Sequence, residues 1–308
     1  MKYVIGYDIG GTKCAVSLGK VEEDKITILS RKETPTTKSS NETLSALEEK
    51  TREFITANKI SAIGISCGGP LDSKQGKLYK VANLPGWEDF HIVEYLENKF
   101  GIKAYLQNDA NACALVEWKY GAGKGTKNMV FITMGTGLGA GLIIDGKLYS
   151  GTNDNAGEVG HIRLADDGPI GFGKTGSFEG FCSGGGIARL AESMGAEKGI
   201  TTKRLAEQAK GGDELALRVF EKSGEMLGKG LSVLIDILNP ERIVIGGVYM
   251  RANELLLPSM ERVLKQESLN FAFNVCEIVP ALLSENIGDY AAISVALSEI
   301  CVKNVMKD

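Results

Sequence analysis

The sequence predicts an α/β protein of two similar lobes whose glycine turns face one cleft. Three observations carry this expectation. A strand, a Gly/Thr turn and a second strand occur twice, at residues 3–18 and 128–144. Apolar strand-like runs alternate with stretches of 3.6-residue apolar rhythm. The 308 residues suffice for two domains at roughly 100–200 residues each.

Taken in order, residues 3–8 read as a strand, 9–13 as a turn and 14–18 as the returning strand, a hairpin with its polar groups at the tip. A third strand is expected near 25–30. Residues 41–59 form a helix, with Leu44, Leu47, Thr51, Phe54 and Ile55 on one face. A buried strand at 62–66 runs into Cys67-Gly68-Gly69-Pro70, followed by a helix at 91–100, a strand at 103–107 and a helix at 109–120. The second unit opens with a strand at 128–134, turns through 135–141 and continues at 142–144. A long amphipathic helix at 214–238, a strand at 242–247 ending in Gly-Gly and a closing helix at 289–305 complete the chain. The expected division is a small lobe of residues 1–118 with the C-terminal helix 290–308, and a large lobe of 119–289.

Composition narrows the function. Apolar residues make up 43% and charged residues 24%, and 35 Lys+Arg against 39 Asp+Glu give a net charge of -4. Nothing electrostatic recruits DNA, RNA or an anionic membrane. No apolar run reaches the ~20 residues that span a bilayer, and residues 1–6 enter a strand pattern without a signal-peptide core, so a cytoplasmic protein is expected. Six cysteines without a CxxC pair read as reduced core thiols. Glycine is in excess, at 39 residues where about 22 are expected. Many sit at strand ends, where backbone turns tightly or approaches a ligand.

Two phosphate-binding patterns fail on context. Gly168 to Thr175 has P-loop spacing but lacks the preceding strand and following helix, and Gly135 to Ala140 has dinucleotide-fingerprint spacing but leads into a strand. What the turns at 9–13 and 135–137 can do is present backbone N–H groups as anion-binding nests, with Thr12, Lys13 and Thr136 adding donors; ordinary hairpin turns are the alternative. Asp8 at a strand end beside such a nest calls for a cation between carboxylate and phosphate, and Mg²⁺, held through water, is the natural one. Asp109 is either a helix N-cap or a functional carboxylate. Glu158 and His161, one of two histidines, follow a glycine-rich loop and are either a structural pair or part of a site.

Five motifs in order, Asp8-Ile9-Gly10-Gly11-Thr12-Lys13, Asn83-Leu84-Pro85-Gly86-Trp87, Asn108-Asp109-Ala110-Asn111-Ala112, Gly135-Thr136-Gly137-Leu138-Gly139 and Glu158-Val159-Gly160-His161, resemble the ROK family of sugar kinases and repressors over essentially the whole chain. The resemblance implies an actin-like two-lobed ATPase fold, with ATP and sugar as ligands and a homodimer as the assembly. It implies Asp109 as catalytic base, with Asn108, Glu158 and His161 on sugar hydroxyls and Gly68 and Asn83 completing the pocket. Asp8, Gly10, Gly11, Thr12 and Lys13 would face phosphates and Mg²⁺, as would Gly135, Thr136 and Gly137, while Gly246 and Gly247 would let adenosine approach the backbone.

One departure stands out. Many family members carry a CxCGxxGCxE run that binds structural zinc with the histidine, and here Ile170, Phe172 and Ser177 stand where its cysteines would be. No zinc is therefore expected. Glu179 matches the acidic residue that ends the run and in the family reaches the sugar. The expected reaction is ATP-dependent phosphorylation of a hexose at its 6-hydroxyl, glucose being the first candidate. N-acetylmannosamine, allose, fructose and β-glucosides remain alternatives. A sugar-responsive repressor is disfavoured because no helix-turn-helix segment precedes Asp8, and the Asn-Asp and Glu-x-Gly-His motifs argue against a chaperone-like ATPase.

Overall fold

The computed structural model describes residues 1–23, 25–283 and 287–305, with side chains to 298. Positions 306–308 of the expected C-terminal helix, and the Cys301 thiol, lie outside the described residues. The chain divides into two compact units. One comprises Met1–Gly125, Leu148–Ala156 and the C-terminal helix; the other comprises Thr126–Lys147 and the chain from Gly157 up to that helix.

In the first unit β1 (Lys2–Ile9), β2 (Lys13–Glu22) and β3 (Lys25–Pro35) form an antiparallel meander. The third strand runs five residues past the expected stretch and ends on Pro35, a residue suited to an edge strand because it cannot donate to a ladder. After α1 (Ser40–Ala57), capped by Ser39, come β4 (Ile60–Cys67), the hairpin β5 (Leu71–Asp72) and β6 (Lys77–Leu78), α2 (Ile92–Phe100), β7 (Ala104–Asn108) and α3 (Asp109–Tyr120). The sheet order is β3-β2-β1-β4-β7, with β4 parallel to both β1 and β7. Helix α1 buries Leu44, Leu47 and Phe54, the stripe its periodicity predicts.

The second unit contains β8 (Met129–Met134), β9 (Leu138–Ile144), the short β10 (Lys147–Leu148) at whose middle the unit boundary falls, a 3₁₀ turn at Val159–His161, and the hairpin β11 (Ile170–Gly171) and β12 (Lys174–Thr175). Then follow α4 (Phe178–Cys182), α5 (Gly184–Ser193), α6 (Thr202–Lys210), α7 (Glu214–Leu238), β13 (Arg242–Gly247), α8 (Val248–Glu267), α9 (Asn270–Phe273) and β14 (Glu277–Pro280). Its sheet order is β10-β9-β8-β13-β14, with β8 antiparallel to β9 and parallel to β13. Both sheets thus set an antiparallel hairpin beside two parallel strands, which is the internal repeat legible in the two strand-turn-strand segments.

Helix α10 (Ile287–Val305) belongs to the first unit and lies across β1, β2 and β4. Gly64 of β4 makes that approach possible, because a Cβ there would collide with the carbonyl of Ala292. Several glycines inside strands therefore serve helix packing rather than a ligand. Cys14, Cys67 and Cys182 are buried, as core thiols should be, whereas Cys113 and Cys276 are half-buried. Among the described residues no helix is long and apolar enough to cross a membrane.

Candidate active site

In the first unit the β1–β2 turn is closed by the N–H of Gly10 on the carbonyl of Lys13 (3.1 Å) and braced from outside by Thr36. The Thr36 hydroxyl donates to Gly10 O (2.6 Å) and its N–H to Thr12 O (3.0 Å). This bracing leaves Gly11, Thr12 and Lys13 exposed at the tip. Gly11 packs onto Asn83 so closely that a Cβ would stand 2.6 Å from Asn83 Cβ, which brings an expected phosphate residue and an expected sugar residue together. The Lys13 ammonium is engaged 2.9 Å from Glu33, so an incoming phosphate would compete with that carboxylate.

Asp8 is half-buried near the end of β1. Burial, with Asp289 and Asp109 nearby, pushes its pKa up to about 6 against the opposing pull of Arg31 and Lys13. Asp289 is itself satisfied: Ser17 Oγ donates to one of its oxygens and Arg31 Nε to the other at 2.8 Å. Asp8 is the carboxylate left short of positive charge, which a hard divalent cation would supply.

Asn108 and Asp109 sit where β7 runs into α3. The Asn108 Oδ1 accepts the N–H of Ala110 (3.0 Å) and of Asn111 (3.4 Å), so Asn108 is the N-cap. The capping role that sequence alone left open for Asp109 is filled by its neighbour. Asn108 then retains only its amide Nδ2, beside Gly69, for a ligand. Asp109 accepts the Ala110 N–H at 2.8 Å on Oδ1, while Oδ2 lies beside Gly68 and takes no hydrogen bond among the described residues. Desolvation raises its carboxyl above the usual range, and the backbone bonds only partly offset this. The residue keeps an exposed approach, so the group is made more basic without being sealed off.

In the second unit the turn Gly135-Thr136-Gly137 joins β8 to β9, with Gly135 and Thr136 exposed. Two contacts fix it. The Glu179 Oε2 accepts the N–H of Leu138 (3.0 Å), and Gly135 O accepts the N–H of Gly184 at the start of α5 (2.8 Å). Glu158 precedes the 3₁₀ turn and His161 ends it; both are exposed, and the His161 and Phe172 rings form a T-shaped pair with centroids 6.2 Å apart. Among the described residues no three His, Cys, Asp or Glu side chains gather as a metal site. Cys182 donates its thiol to the carbonyl of Ser223.

A cavity of about 630 Å³ opens beside this turn, between Gly135 and Thr136, the start of α5 (Gly184, Gly185), helix α6 (Lys203, Ala206) and the β13–α8 junction (Gly247, Val248). Its size suits a nucleoside. Gly247, at φ 71°, has no room for a side chain against Met134 O and lines the cavity; Gly246 is buried against Phe131 instead. Sequence reading placed neither α5 nor α6 here. The run Gly184-Gly185-Gly186 was the available signal, but three weak helix formers opening a helix are recognisable only with the Ser183 cap in view.

Comparison with known proteins gives a coherent picture. A sequence profile described as the ROK family matches residues 4–299. The glucokinase of Halalkalibacterium halodurans is 32% identical over 310 residues, covering 93% of this chain and 92% of that protein. The ROK hexokinase of Thermus thermophilus superposes with a TM-score of 0.83 at 29% identity, covering 97% and 99% of the two chains. A ROK family glucokinase from Streptomyces griseus, solved with glucose and AMPPNP, gives a TM-score of 0.80 at 29% identity over 96% and 99%.

Proposed function

The chain belongs to the ROK family, with its actin-like α/β fold, and is a sugar kinase of that family; on this premise we propose that it transfers the γ-phosphoryl group of ATP to the 6-hydroxyl of glucose or a glucose-like hexose. The state of Asp109 carries the reading. It is relieved of capping by Asn108, held at Oδ1, open at Oδ2 and made more basic by desolvation.

A sugar hydroxyl ionises far above pH 7 and attacks phosphorus efficiently only if its proton leaves as the new bond forms. Asp109 Oδ2 accepts that proton, and the Ala110 N–H prevents the carboxylate from rotating away. Transfer through a loose transition state gains most from alignment and charge stabilisation. Gly11 to Lys13 in the first unit, and Gly135 to Gly137 with the N-terminus of α5 in the second, would supply backbone donors to the phosphates, while the Gly10 N–H closes its turn on the Lys13 carbonyl. Asp8 fits Mg²⁺, which when bound with the nucleotide neutralises phosphate charge. The cavity beside Gly247 would hold adenosine. Sugar hydroxyls would be bound by Asn83, Asn108 Nδ2 and the Gly68 backbone, and by Glu158 and His161. Glu179 spends one carboxylate oxygen on Leu138 and offers the other to the sugar.

An ADP-release screen over glucose, mannose, allose, fructose, N-acetylmannosamine and a β-glucoside tests the proposal. Turnover confined to hexoses, highest with glucose, is expected. Preference for N-acetylmannosamine would move the substrate, sugar binding without turnover would indicate a sensor, and ADP release without sugar would indicate an ATPase with another client.

A further inference from the structure

We propose that Phe172 is a positioning and specificity-determining residue of the sugar site, whose ring orients the His161 imidazole for hexose hydroxyls. This rests on the reading that His161 binds sugar.

The observation begins with a broken local rule. Strands β11 and β12 pair Ile170 with Thr175 and Gly171 with Lys174, leaving Phe172 and Gly173 as a two-residue turn. Both have positive φ, 43° and 76°. A two-residue hairpin of this kind favours Asn-Gly, and a bulky aromatic residue in its first place is strained. Burial does not compensate, because Phe172 is 71% exposed. Strain of this kind at an exposed tip points to function.

What the strain achieves is visible in the contacts. The Phe172 and His161 rings meet in a T-shaped arrangement, with centroids 6.2 Å apart and planes at 78°. The hairpin base beneath Phe172 cannot drift. Lys174 Nζ donates to the His161 carbonyl (2.7 Å), Arg163 Nη1 to the Thr175 carbonyl (2.8 Å) and Ser177 Oγ to the Gly171 carbonyl (3.3 Å). Gly171 is seated so tightly that a Cβ would lie 2.6 Å from Ser177 Oγ. Hairpin and His161 backbone are therefore one rigid piece, and the ring-ring contact fixes the remaining torsion of the imidazole. Among the described residues no protein group hydrogen-bonds the imidazole nitrogens, so they stay available to a ligand while the T-shaped contact with Phe172 sets their direction.

The test uses the full-length enzyme with Phe172→Asn and Phe172→Tyr. Asparagine suits positive φ, so Phe172→Asn should melt at the wild-type temperature or above it. It should nevertheless raise KM for the hexose roughly threefold to tenfold, the range of an aromatic pair, and narrow the gap between epimeric hexoses. KM for ATP should stay unchanged, and Phe172→Tyr should restore the sugar KM. In His161→Ala the further change Phe172→Asn should add nothing. Unchanged sugar KM in Phe172→Asn, with active wild-type enzyme, overturns the inference and leaves the function standing. A lowered melting temperature with kcat falling in proportion overturns it in favour of a structural role. Wild-type protein that neither binds nor phosphorylates any hexose overturns both.

Discussion

In the proposed reaction Asp109 is the residue on which the chemistry turns, and its surroundings make the effect of changing it specific. Asp109→Asn should lower kcat by at least ~10²-fold while sugar affinity holds and the melting temperature does not fall, because the cap on α3 is Asn108 and the carboxyl that is removed is penalised by desolvation. Wild-type kcat should also fall on acidification through a pKa above the ordinary aspartate range, since the base must be ionised and its folded pKa is raised. A pH–kcat profile of the wild type, beside single-point kinetics of the variant, checks both. Asp8 predicts an opposite pairing of effects. Its folded pKa, pushed up to about 6 from an ordinary aspartate value of 3.8, makes the ionised form a penalty on the folded state, fully present above about pH 6 and relieved as pH falls. Asp8→Asn should therefore stabilise the ligand-free protein at pH 7 by on the order of 1–3 kcal/mol, yet abolish turnover; thermal melts and an activity assay decide it. The motifs made both aspartates legible in the sequence. Which of Asn108 and Asp109 caps the helix was not legible, because both residue types cap well and only hydrogen-bond geometry separates them.

At the scale of elements, the long periodic ones were readable: α7, β1, β8 and β13 stand where the apolar runs place them, and α1 buries Leu44, Leu47, Thr51 and Phe54 of its expected face while Ile55 is half-buried. Short or polar ones were not. Helix α6 buries only Leu205 and Ala209, and the β11–β12 hairpin carries phenylalanine where turn chemistry favours asparagine. Helix α10 was readable as a helix, but its close seat on β4 was not, since glycine's absence of a side chain signals ligand approach and helix approach alike. Gly64→Ala should cost about 1–3 kcal/mol or more by overpacking, read from denaturant midpoints, with the kinetics of the surviving folded enzyme unchanged. The cavity between α5, α6 and α8 makes a separate claim. Ala206→Phe should fill it and raise KM for ATP at least several-fold without moving KM for the sugar; the reverse pattern would take the nucleotide elsewhere.

For the whole molecule, the doubled strand-turn-strand pattern was enough to anticipate two similar lobes; that each carries a five-stranded sheet with a hairpin beside two parallel strands emerges only from the structure. The return of Leu148–Ala156 to the first unit was not, because Asp154 is tied there by Ser73, 81 residues away, through a contact that no periodicity records. Each unit carries parts of the proposed reaction: the first holds Asp109 and the Gly10–Lys13 turn, the second the Gly135–Gly137 turn and the cavity beside Gly247. The most direct test is phosphorus NMR of the products formed from ATP, Mg²⁺ and glucose by wild type and Asp109→Asn. Phosphoryl transfer with Asp109 as base predicts ADP and glucose 6-phosphate in equal amounts from the wild type, no ADP when glucose is withheld, and almost none of either product from the variant. Inorganic phosphate in place of the sugar phosphate, or undiminished product from Asp109→Asn, would contradict it.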